Sequence, residues 1–501
     1  MFNIKKESLY KQILPAEDDQ KVPVVFNVND DLMPDDFTIN QLKKIAGDER
    51  VFRQVVALTD VHQKKGRKNP TGTVIATKKF IFPQTVDTAP NCGMRMIKTP
   101  FAVDNLPKEK IDELFKALIP RIPTKTYLGS FLPKKTILEI SKRGSIALLE
   151  YFKKDPGEIE NTMNRGNMFL DEKITDQDLF NSIPDIFFQI ARLRLGILGA
   201  AGNHFLDLMR IDEILDKEIA RKFGIEKDYY IFLLHTGSGM FGQYCGYFYT
   251  PKIKEHFSQK IITSIGHATF KNKKSAWHKQ LMKDLKKYQT KEEFFGIDED
   301  SELGRAFQIA HKASSNHGFA NRSLLQINLE KTIKEVLGRD LKLPLIYDMT
   351  HISVQKENHF GKDVWAHRNG LVRAFGPNKF KTLGLGQTLY EEVGEPVFVP
   401  SSMSTPAFLG VATDENEETF FSAPHGTGKS KTKTSQVPQS KNELFEKMKN
   451  RGVKLYNATS SGIINQDASH YKNIEPGIEG LKENKVIKPV AKMTPVAVLM
   501  A

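Results

Sequence analysis

A single histidine in a glycine-rich loop has the surroundings of a phosphate-binding residue. The stretch Glu418–Thr434, ETFFSAPHGTGKSKTKT, is an apolar, β-prone run that reaches His425 and continues into two glycines and a lysine. Glycine lets backbone N–H groups converge on a phosphate, and the lysine adds a positive charge beside them. We therefore expect this loop to contact phosphate, with the imidazole as a nucleophile, a base or a metal ligand. The alternative is a histidine that only hydrogen-bonds within its own loop.

The same stretch also fits a relaxed nucleotide-binding P-loop pattern from Ala423 to Ser430. A P-loop requires a helix directly after it, because the phosphate sits at the helix N-terminus. The residues that follow, Lys431–Lys441, are rich in Thr and Ser and include Pro438, so they start a helix poorly. We therefore reject the P-loop, which leaves the imidazole as the centre of the expected chemistry.

One cysteine and three further histidines each stand where a strand or helix pattern gives way to a turn. They are Cys92, His204, His235 and His351. Three imidazoles and one thiolate suit a borderline or soft divalent ion, and such ligands commonly come from distant strand ends. A lone cysteine is more often a small packed core residue, but the repeated context favours a metal site. Because these residues are scattered along the chain, one catalytic unit must use most of its length.

The elements that must position these residues are short strands mixed with helices. Strand patterns lie at Val51–Leu58, Thr73–Ala76, Tyr229–Leu234, Leu345–Asp348 and Pro396–Pro400, and helical patterns at Leu42–Ala46, Lys108–Lys154, Asp185–Leu198 and Ile309–Ile327. After His235 the chain contains a formal GxGxxG, but the following QYCGYFYT is aromatic and β-prone. A dinucleotide fold requires a helix there, so we reject it.

A strongly basic segment, residues 252–302, interrupts this alternation. Its pattern is helical, and it includes the runs Lys271–Lys274 and Lys283–Lys287. We predict a helical insertion that lies on RNA or DNA, with a solvated helix pair as the alternative. No internal repeat or clean linker divides the chain, so residues 1–501 are predicted to form one domain.

Composition restricts the class of protein and its partners. The chain has 501 residues, a formal net charge of +13 and a pI near 9.3, which suits a polyanion such as nucleic acid. Only two cysteines, Cys92 and Cys245, argue against a disulfide-stapled secreted protein. The N-terminus lacks a signal-peptide core, and no run approaches about 18 apolar residues. We therefore expect a cytoplasmic protein with no membrane partner.

Eight ordered motifs resemble those of the RtcB family of RNA-splicing ligases, from about position 55 to the C-terminus. They are Asp60-Val61-His62, Asn91-Cys92-Gly93-Met94-Arg95, Gly202-Asn203-His204-Phe205, His235-Thr236-Gly237-Ser238, Phe319-Ala320-Asn321-Arg322, Asp348–His351, Pro400–Thr405 and His425-Gly426-Thr427-Gly428. The resemblance implies an α+β, RtcB-like mixed catalytic fold with central β-sheets. It also implies an RNA ligase that uses GTP and Mn²⁺ in RNA repair or tRNA splicing.

The resemblance assigns a role to each candidate residue. His425 corresponds to the nucleophile, which takes GMP from GTP as a covalent histidine–GMP and passes it to an RNA 3′-phosphate, itself opened from a 2′,3′-cyclic phosphate where necessary. A 5′-hydroxyl end then attacks and releases GMP. The matching manganese ligands are Cys92, His204, His235 and His351, and the matching nucleotide-pocket residues are Asn203, Asp207, Pro400, Ser402, Met403, Thr405, Gly428 and Tyr471.

The chain departs from the family pattern at seven positions. The family has aspartate where this chain has Ala89, glutamate where it has Asp207, arginine where it has Gly239, asparagine where it has Ile352, lysine where it has Asn369, serine where it has Ala407 and lysine where it has Met500. The first change argues against a second metal unless Asp87 substitutes, and most of the others fall in the nucleotide pocket. Fewer cations should then hold RNA or phosphate.

Two other functions are compatible with the same residues. One is an RNA-binding relative that has lost ligation, and the other is a metal-dependent cyclic phosphodiesterase or phosphoesterase that acts on RNA ends. In all three cases the expected partner is RNA with broken 3′-phosphate and 5′-hydroxyl ends. We expect a monomer and leave open whether an activating protein partner is required.

Overall fold

The computed structural model describes residues 2–17, 20–63, 68–124, 129, 131–199, 203–250, 257–288, 294–430 and 437–500. Within these ranges the strands are β1 (Lys5–Ser8), β2 (Lys11–Leu14), β3 (Val24–Phe26), β4 (Val51–His62), β5 (Thr71–Thr77), β6 (Phe80–Ile81), β7 (Gly93–Ala102), β8 (Phe205–Ile214), β9 (Tyr229–Thr236), β10 (Ile297–Asp298), β11 (Leu345–Thr350), β12 (Ile352–His359), β13 (Lys362–Asn369), β14 (Leu371–Arg373), β15 (Pro396–Val399), β16 (Ala407–Ala412), β17 (Ser422–Pro424), β18 (Lys454–Asn457) and β19 (Ile487–Met500).

Helices are interspersed with these strands along the whole chain. They are α1 (Asp36–Ala46), α2 (Lys108–Leu118), α3 (Lys134–Arg143), α4 (Ser145–Tyr151), α5 (Asp176–Ser182), α6 (Asp185–Arg194), α7 (Lys217–Phe223), α8 (Gly239–Tyr249), α9 (Phe257–Thr269), α10 (Ala276–Tyr288), α11 (Glu302–Leu337), α12 (Pro377–Lys381), α13 (Thr388–Val393), α14 (Lys441–Asn450) and α15 (Ile474–Glu483). The predicted α+β class is confirmed, and every strand and helix pattern predicted above, except the β-prone run QYCGYFYT, overlaps an observed element of its type.

Two large sheets organise the molecule. The first has the order β1-β2-β3-β4-β5-β13-β12, and the second has the order β11-β7-β9-β8-β19-β16-β15, with β18 also paired to β19. Nearly all neighbours are antiparallel; β3 with β4 and β18 with β19 are parallel. A small sheet of β14 and β17 contacts β4 and β5 of the first sheet and β11 of the second. The short strand that leads into His425 therefore lies where the two large sheets approach each other.

The second sheet is buried deeply at its centre. Strand β9, YYIFLLHT, is buried along nearly its full length, because β7 and β8 flank it and side chains pack on both of its faces. The long helix α11 packs against α2, α3, α4, α5 and α8 and contacts β9. An apolar run in a doubly covered strand gives a rigid support for a residue at its end.

The prediction that QYCGYFYT continues as β structure was wrong. This segment belongs to helix α8, which begins at Gly239 and packs between α6, α9 and α11. Its aromatic side chains are buried among these helices, and burial outweighs the β-propensity of isolated aromatic residues. The dinucleotide fold is excluded on other grounds, because the preceding strand β9 is antiparallel to both of its neighbours.

The basic segment contains two helices, α9 and α10, within the range that was predicted to be helical. Residues 252–256 and 289–293 of that prediction lie outside the described ranges. Beyond them, β10 pairs with β6 before α11 begins. In the described part of the chain, no helix combines the length and apolarity needed to cross a membrane.

Candidate active site

All thirteen residues singled out from the sequence line one cavity of about 880 Å³. They are Cys92, Asn203, His204, Asp207, His235, His351, Pro400, Ser402, Met403, Thr405, His425, Gly428 and Tyr471. The roles assigned to them are predictions, but their convergence is a geometric fact. A concave pocket with several polar and titratable groups is the usual form of a small-molecule site.

Strand pairing explains why the four predicted metal ligands meet. The strands β11, β7, β9 and β8 are consecutive neighbours in the second sheet, and each ligand lies at the same end of one of them. In the register, Gly93 is opposite both Thr236 and Thr350, so Cys92, His235 and His351 are brought together. Antiparallel pairing places Phe205 opposite His235, which brings His204 to the same end.

The side chains of these residues converge on a common point. Cys92 Sγ lies 3.3 Å from His204 Nε2 and 3.4 Å from His235 Nε2, and the Nε2 atoms of His235 and His351 are 3.0 Å apart. Among the described residues, Cys92, His235 and His351 form the group whose donor atoms are mutually close enough to hold one ion. Two imidazole lone pairs at such a distance repel each other unless a proton or a cation lies between them. The donor set fits a borderline or soft divalent ion.

The imidazoles are held in the neutral form that a metal requires. Burial lowers the pKa of both His235 and His351 well below the ordinary value, and the neighbouring imidazoles lower each further. His204 Nδ1 lies 2.8 Å from the Leu198 carbonyl, to which it donates, so its lone pair is on Nε2 and faces Cys92. A backbone hydrogen bond from an imidazole in this way fixes both tautomer and ring orientation.

A buried arginine holds the two turns that carry Cys92 and His235. The Arg322 guanidinium on α11 donates to the Thr236 carbonyl at 2.8 Å and to Asn91 Oδ1 at 2.8 Å. Its Nε donates to Asp348 at 2.8 Å, and the side chain is fully buried. Each of these bonds is charge-assisted or made in a dry interior, where hydrogen bonds strongly restrict geometry.

His425 lies directly beside the candidate metal ligands. Its ring stacks on that of His351 with centroids 3.9 Å apart and an interplanar angle of 6°. Nδ1 lies 2.6 Å from the Gly370 carbonyl, to which it donates, and 2.9 Å from Asp60 Oδ2. The hydrogen bond is directed to the carbonyl, and the carboxylate approaches off its axis as a charge partner. This tautomer puts the lone pair on Nε2.

Asp60 was quoted as part of a motif but received no role from the sequence, and the structure makes it a central residue. It lies on β4 with a fully buried side chain, and it contacts His425 and His62. Burial by itself would raise the pKa of Asp60, but the two imidazoles bring it below the ordinary value. The carboxylate is therefore ionised beside the candidate nucleophile. Its position at the end of an apolar strand, as for the histidines, was the available signal.

Lys472 holds the backbone on both sides of Asp60 and was also missed. Its Nζ donates to the carbonyls of Thr59 at 3.0 Å and Val61 at 3.1 Å, and to Leu32 at 3.0 Å. Burial lowers the pKa of Lys472 to about 8, an effect that the Asp60 charge opposes. Carbonyl oxygens held in this way fix the direction in which the intervening carboxylate points.

The glycine-rich loop lies against the same aspartate. Gly428 has φ +75°, and a Cβ there would lie 2.8 Å from Asp60 Oδ1 and 2.9 Å from its Cα. Only glycine fits this left-handed position and this close approach. Residues 431–434 of the loop lie outside the described ranges, and the next described helix, α14, begins at Lys441. The prediction that Lys431–Lys441 starts a helix poorly therefore falls mainly on residues outside the described ranges.

The remainder of the cavity has an apolar wall with one buried acid. Met403 and Met500 share an apolar cluster with Val498, which also lines the cavity. Asp207 on β8 is fully buried, its Oδ1 has no hydrogen-bond partner within the described structure, and burial raises its pKa well above the ordinary value. A buried acceptor of this kind is satisfied when a ligand donates to it.

Two predicted pocket loops are ordered by their own hydrogen bonds. Ser402 N donates to Thr405 Oγ1 at 2.9 Å, which holds the turn that begins at Pro400. Tyr471 hydrogen-bonds Gln466, and Lys429 Nζ lies 5.5 Å above the Tyr471 ring. These contacts present hydroxyls, a ring and a cation to the cavity.

Two of the departures from the family pattern can now be placed. Ala89 and Asp87 both line the cavity, but neither belongs to the donor group of the described residues. Arg368 is turned away from the cavity, because Glu357 binds its guanidinium at 2.6 Å and 2.7 Å in the interior. The neighbouring Asn369 therefore faces the cavity where the family has a lysine.

Fold and site together define an α+β protein with a buried Cys/His donor set and a tautomer-fixed histidine beside it. A sequence model described as tRNA-splicing ligase RtcB matches residues 41–501, and the chain belongs to the RtcB family, as its motifs predicted.

Similar proteins span archaea and a eukaryote. The tRNA-splicing ligase RtcB of Nanoarchaeum equitans is 26% identical, with 99% of both chains covered. The protein of the same name from Methanococcus maripaludis is 28% identical over 82% of this chain and 80% of its own. The RNA-splicing ligase RtcB homolog 1 of Entamoeba histolytica is 27% identical over 82% of this chain and 72% of its own.

Proposed function

We propose that this protein is an RNA ligase that joins an RNA 3′-phosphate or 2′,3′-cyclic phosphate end to a 5′-hydroxyl end, in RNA repair or tRNA splicing. The observation that carries the proposal is the geometry of His425. Its Nδ1 hydrogen bond to Gly370 directs the lone pair to Nε2, and its ring stacks on a candidate metal ligand. An imidazole in this tautomer is a competent nucleophile toward phosphorus. The family relationship supplies the substrate class.

The proposed reaction has three steps, each a displacement at phosphorus. His425 Nε2 forms a bond to the α-phosphorus of GTP, and pyrophosphate leaves. An oxygen of the RNA 3′-phosphate then displaces the imidazole from that phosphorus, which regenerates His425 and leaves GMP on the RNA end. Finally the 5′-hydroxyl oxygen attacks the phosphorus of the RNA 3′-phosphate, and GMP leaves.

This chain's own residues support the first step electrostatically. When Nε2 bonds to phosphorus while Nδ1 keeps its proton, the ring becomes cationic. The ionised Asp60 carboxylate, 2.9 Å from Nδ1, stabilises that charge, and Lys472 holds the carboxylate in place. Preorganised charge in a site shielded from water is among the larger contributions to catalysis.

The proposed cofactor is Mn²⁺, held by Cys92, His204, His235 and His351. When bound, it supplies positive charge that neutralises phosphate oxygens and aligns the attack. The neutral imidazoles and the close donor atoms fit this role. With Ala89 at the aspartate position, one metal is favoured over two.

The proposed second ligand is GTP, in the pocket lined by Asn203, Asp207, Pro400, Ser402, Met403, Thr405, Gly428 and Tyr471. The unpartnered Asp207 carboxyl suits a donor on a base edge, and the methionines suit the apolar ring faces. A cytoplasmic location, a monomeric state and an activating partner stay predictions.

The test is to incubate purified protein with Mn²⁺ and GTP labelled at the α-phosphate, and then to denature it. We expect label that survives denaturation in the native protein and is absent from His425→Ala. GTP labelled at the γ-phosphate is the matched control and should leave no label, because pyrophosphate departs. Absence of α-label with all four nucleotides would remove the covalent mechanism.

One observation favours a different function. The donor group of the described residues contains no carboxylate, so a single metal could open a cyclic phosphate with water and not seal the strand. Product analysis of one nicked RNA hairpin separates the candidates. A joined strand supports the ligase, an opened 3′ end supports a phosphoesterase, and an unchanged strand supports a relative that only binds RNA.

A further inference from the structure

A strongly basic surface adjoins the cavity without belonging to it. Helices α9 and α10 with their connection, residues 257–288, contain eight lysines and one acidic residue, Asp284. Seven of these lysine side chains are exposed to solvent: Lys260, Lys271, Lys273, Lys274, Lys279, Lys283 and Lys286. We call this set the lysine surface. Its charge density is far above that of a mixed surface made only for solubility.

The positive charges of the lysine surface are not neutralised by neighbouring carboxylates in the described structure. No ion pair in the described part of the chain involves any of its seven lysines. Some exposed lysines elsewhere do have carboxylate partners: Lys334 pairs with Asp340, and Lys342 pairs with Asp155. Uncompensated positive charge concentrated on one surface is the electrostatic signature of a polyanion site.

The opposite face of the helix pair fixes the surface to the body of the protein. Trp277 stacks on Tyr249 of α8 with centroids 6.2 Å apart, and His267 stacks on Phe248 at 4.1 Å. Gly266 allows α9 to approach Phe187 of α6 closely. The lysines are therefore carried on a packed support and not on a separate hairpin.

Two geometric facts direct the surface toward the active site. Gln259, in the first turn of α9, lines the same cavity as His425, and Lys260 follows it. On α10, Lys279, Lys283 and Lys286 are spaced by four and three residues, so they form one stripe at intervals of about one helical turn. Lys260 is thus the lysine of this surface that lies next to a cavity residue, and the α10 stripe offers further cationic groups on the same helix pair.

We propose that α9 and α10 are the docking surface for the sugar-phosphate backbone of the RNA strand whose end enters the cavity. The proposal rests on the RNA-end substrate proposed above and extends it to the body of that RNA. The described exposed side chains here include lysines and two isoleucines, Ile261 and Ile265, and no aromatic ring. Because the described part of this surface offers cations and no ring for base stacking, contact should be with phosphates and independent of sequence.

The test compares two triple variants with equal charge change. Lys279→Gln, Lys283→Gln and Lys286→Gln neutralise the stripe. The control, Lys331→Gln, Lys334→Gln and Lys342→Gln, neutralises lysines near the far end of α11, roughly 36 Å along the helix from Phe307, the α11 residue that contacts the Tyr249 ring. Binding of a long 3′-phosphorylated RNA and of a trinucleotide is measured by fluorescence anisotropy over a range of salt concentrations.

We expect the stripe variant to bind the long RNA about tenfold more weakly and to lower the slope of log K against log salt by up to about 2, since each phosphate contact on a single strand contributes about 0.7. Trinucleotide binding and labelling by GTP should not change, and the control variant should behave as the native protein. Lys279→Arg, Lys283→Arg and Lys286→Arg together should keep native RNA binding, and this result would exclude misfolding as the cause of the loss in the glutamine variant.

If the stripe variant bound the long RNA with native affinity and native salt dependence, the proposal would be overturned. The alternative use of these helices would then be to bind an activating protein partner. Failure of the proposed ligase is a separate result. If native protein takes no label from GTP while the stripe variant loses RNA binding, the ligase mechanism is wrong and the docking surface stands.

Discussion

At the scale of single residues, the pair of His425 and Asp60 is the arrangement most directly suited to catalysis. The carbonyl of Gly370 sets the tautomer, and the carboxylate supplies charge without taking the proton. Removing the charge should therefore slow formation of the cationic adduct more than it affects nucleotide binding.

Asp60→Asn preserves shape and removes the negative charge. We expect the rate of single-turnover labelling by GTP to fall about 100-fold, the usual order for one preorganised electrostatic group. The GTP concentration that gives half-maximal labelling should change much less. Asp363→Asn, an exposed aspartate on β13 of the same sheet, is the matched control. Native labelling rates in Asp60→Asn would show that the carboxylate does not stabilise the adduct.

Asp207 should make stability depend on pH in metal-free, nucleotide-free protein. Burial raises its pKa well above the ordinary 3.8, so above pH 3.8 the folded state keeps a proton that the unfolded chain releases. The native protein therefore loses stability relative to Asp207→Asn as pH rises, at up to about 1.4 kcal/mol per pH unit until the folded pKa is passed. Urea unfolding at pH 5 and pH 8 measures this. If the stability difference between the native protein and Asp207→Asn were the same at pH 5 and pH 8, the prediction would be contradicted. The stability difference between the native protein and Asp363→Asn should not change with pH in this way.

At the scale of elements, the metal ligands depend on how α11 holds two turns of the second sheet. Arg322 and Arg95 are both fully buried and both pair with Asp348. Only Arg322 also bonds Asn91 and Thr236, the residues beside Cys92 and His235. A comparison of variants at the two arginines can therefore distinguish a loss of stability from a loss of metal-ligand positioning.

Arg322→Lys retains the charge but cannot reproduce the planar set of donors. We expect Mn²⁺ affinity to fall about 10-fold to 100-fold, as for other groups that orient metal ligands. Arg95→Lys should lower stability with little change in metal affinity. Titration of each variant by calorimetry distinguishes them, and equal losses of affinity would contradict a specific role for Arg322.

At the scale of the whole molecule, β19 joins parts of the cavity wall that are distant in sequence. It pairs with β8, β16 and β18, and Met500 at its end lines the cavity. Leu499 lies opposite Leu206 and Tyr456 and is fully buried. Packing at this point should therefore be coupled to the stability of the catalytic unit.

Leu499→Ala should lower the free energy of unfolding by about 2–5 kcal/mol, because it leaves a cavity in a dry core. Leu9→Ala, at a leucine that is 61% exposed, should change it by less than about 0.5 kcal/mol. Urea denaturation followed by circular dichroism measures both. If Leu499→Ala lowered the free energy of unfolding as little as Leu9→Ala, the end of β19 would not be part of the cooperative core.

The sequence by itself determined the fold class, several of the strands and helices, and thirteen of the residues that line the cavity. Local patterns indicated the strands, and glycines and polar turns after them indicated the four histidines and Cys92. The resemblance to the family supplied the eight nucleotide-pocket residues. The ordered motifs added the family, which the family comparison confirmed.

Only the tertiary structure decided which groups face each other. Strand order placed the four ligands at one sheet end. Packing between the sheets put Asp60 beside His425 and Lys472 against the backbone that flanks Asp60, although these residues are far apart in sequence. Burial turned Arg368 away from the cavity and made an aromatic run into α8. Pairing between distant strands and burial between layers depend on the whole chain at once, so no local pattern contains them.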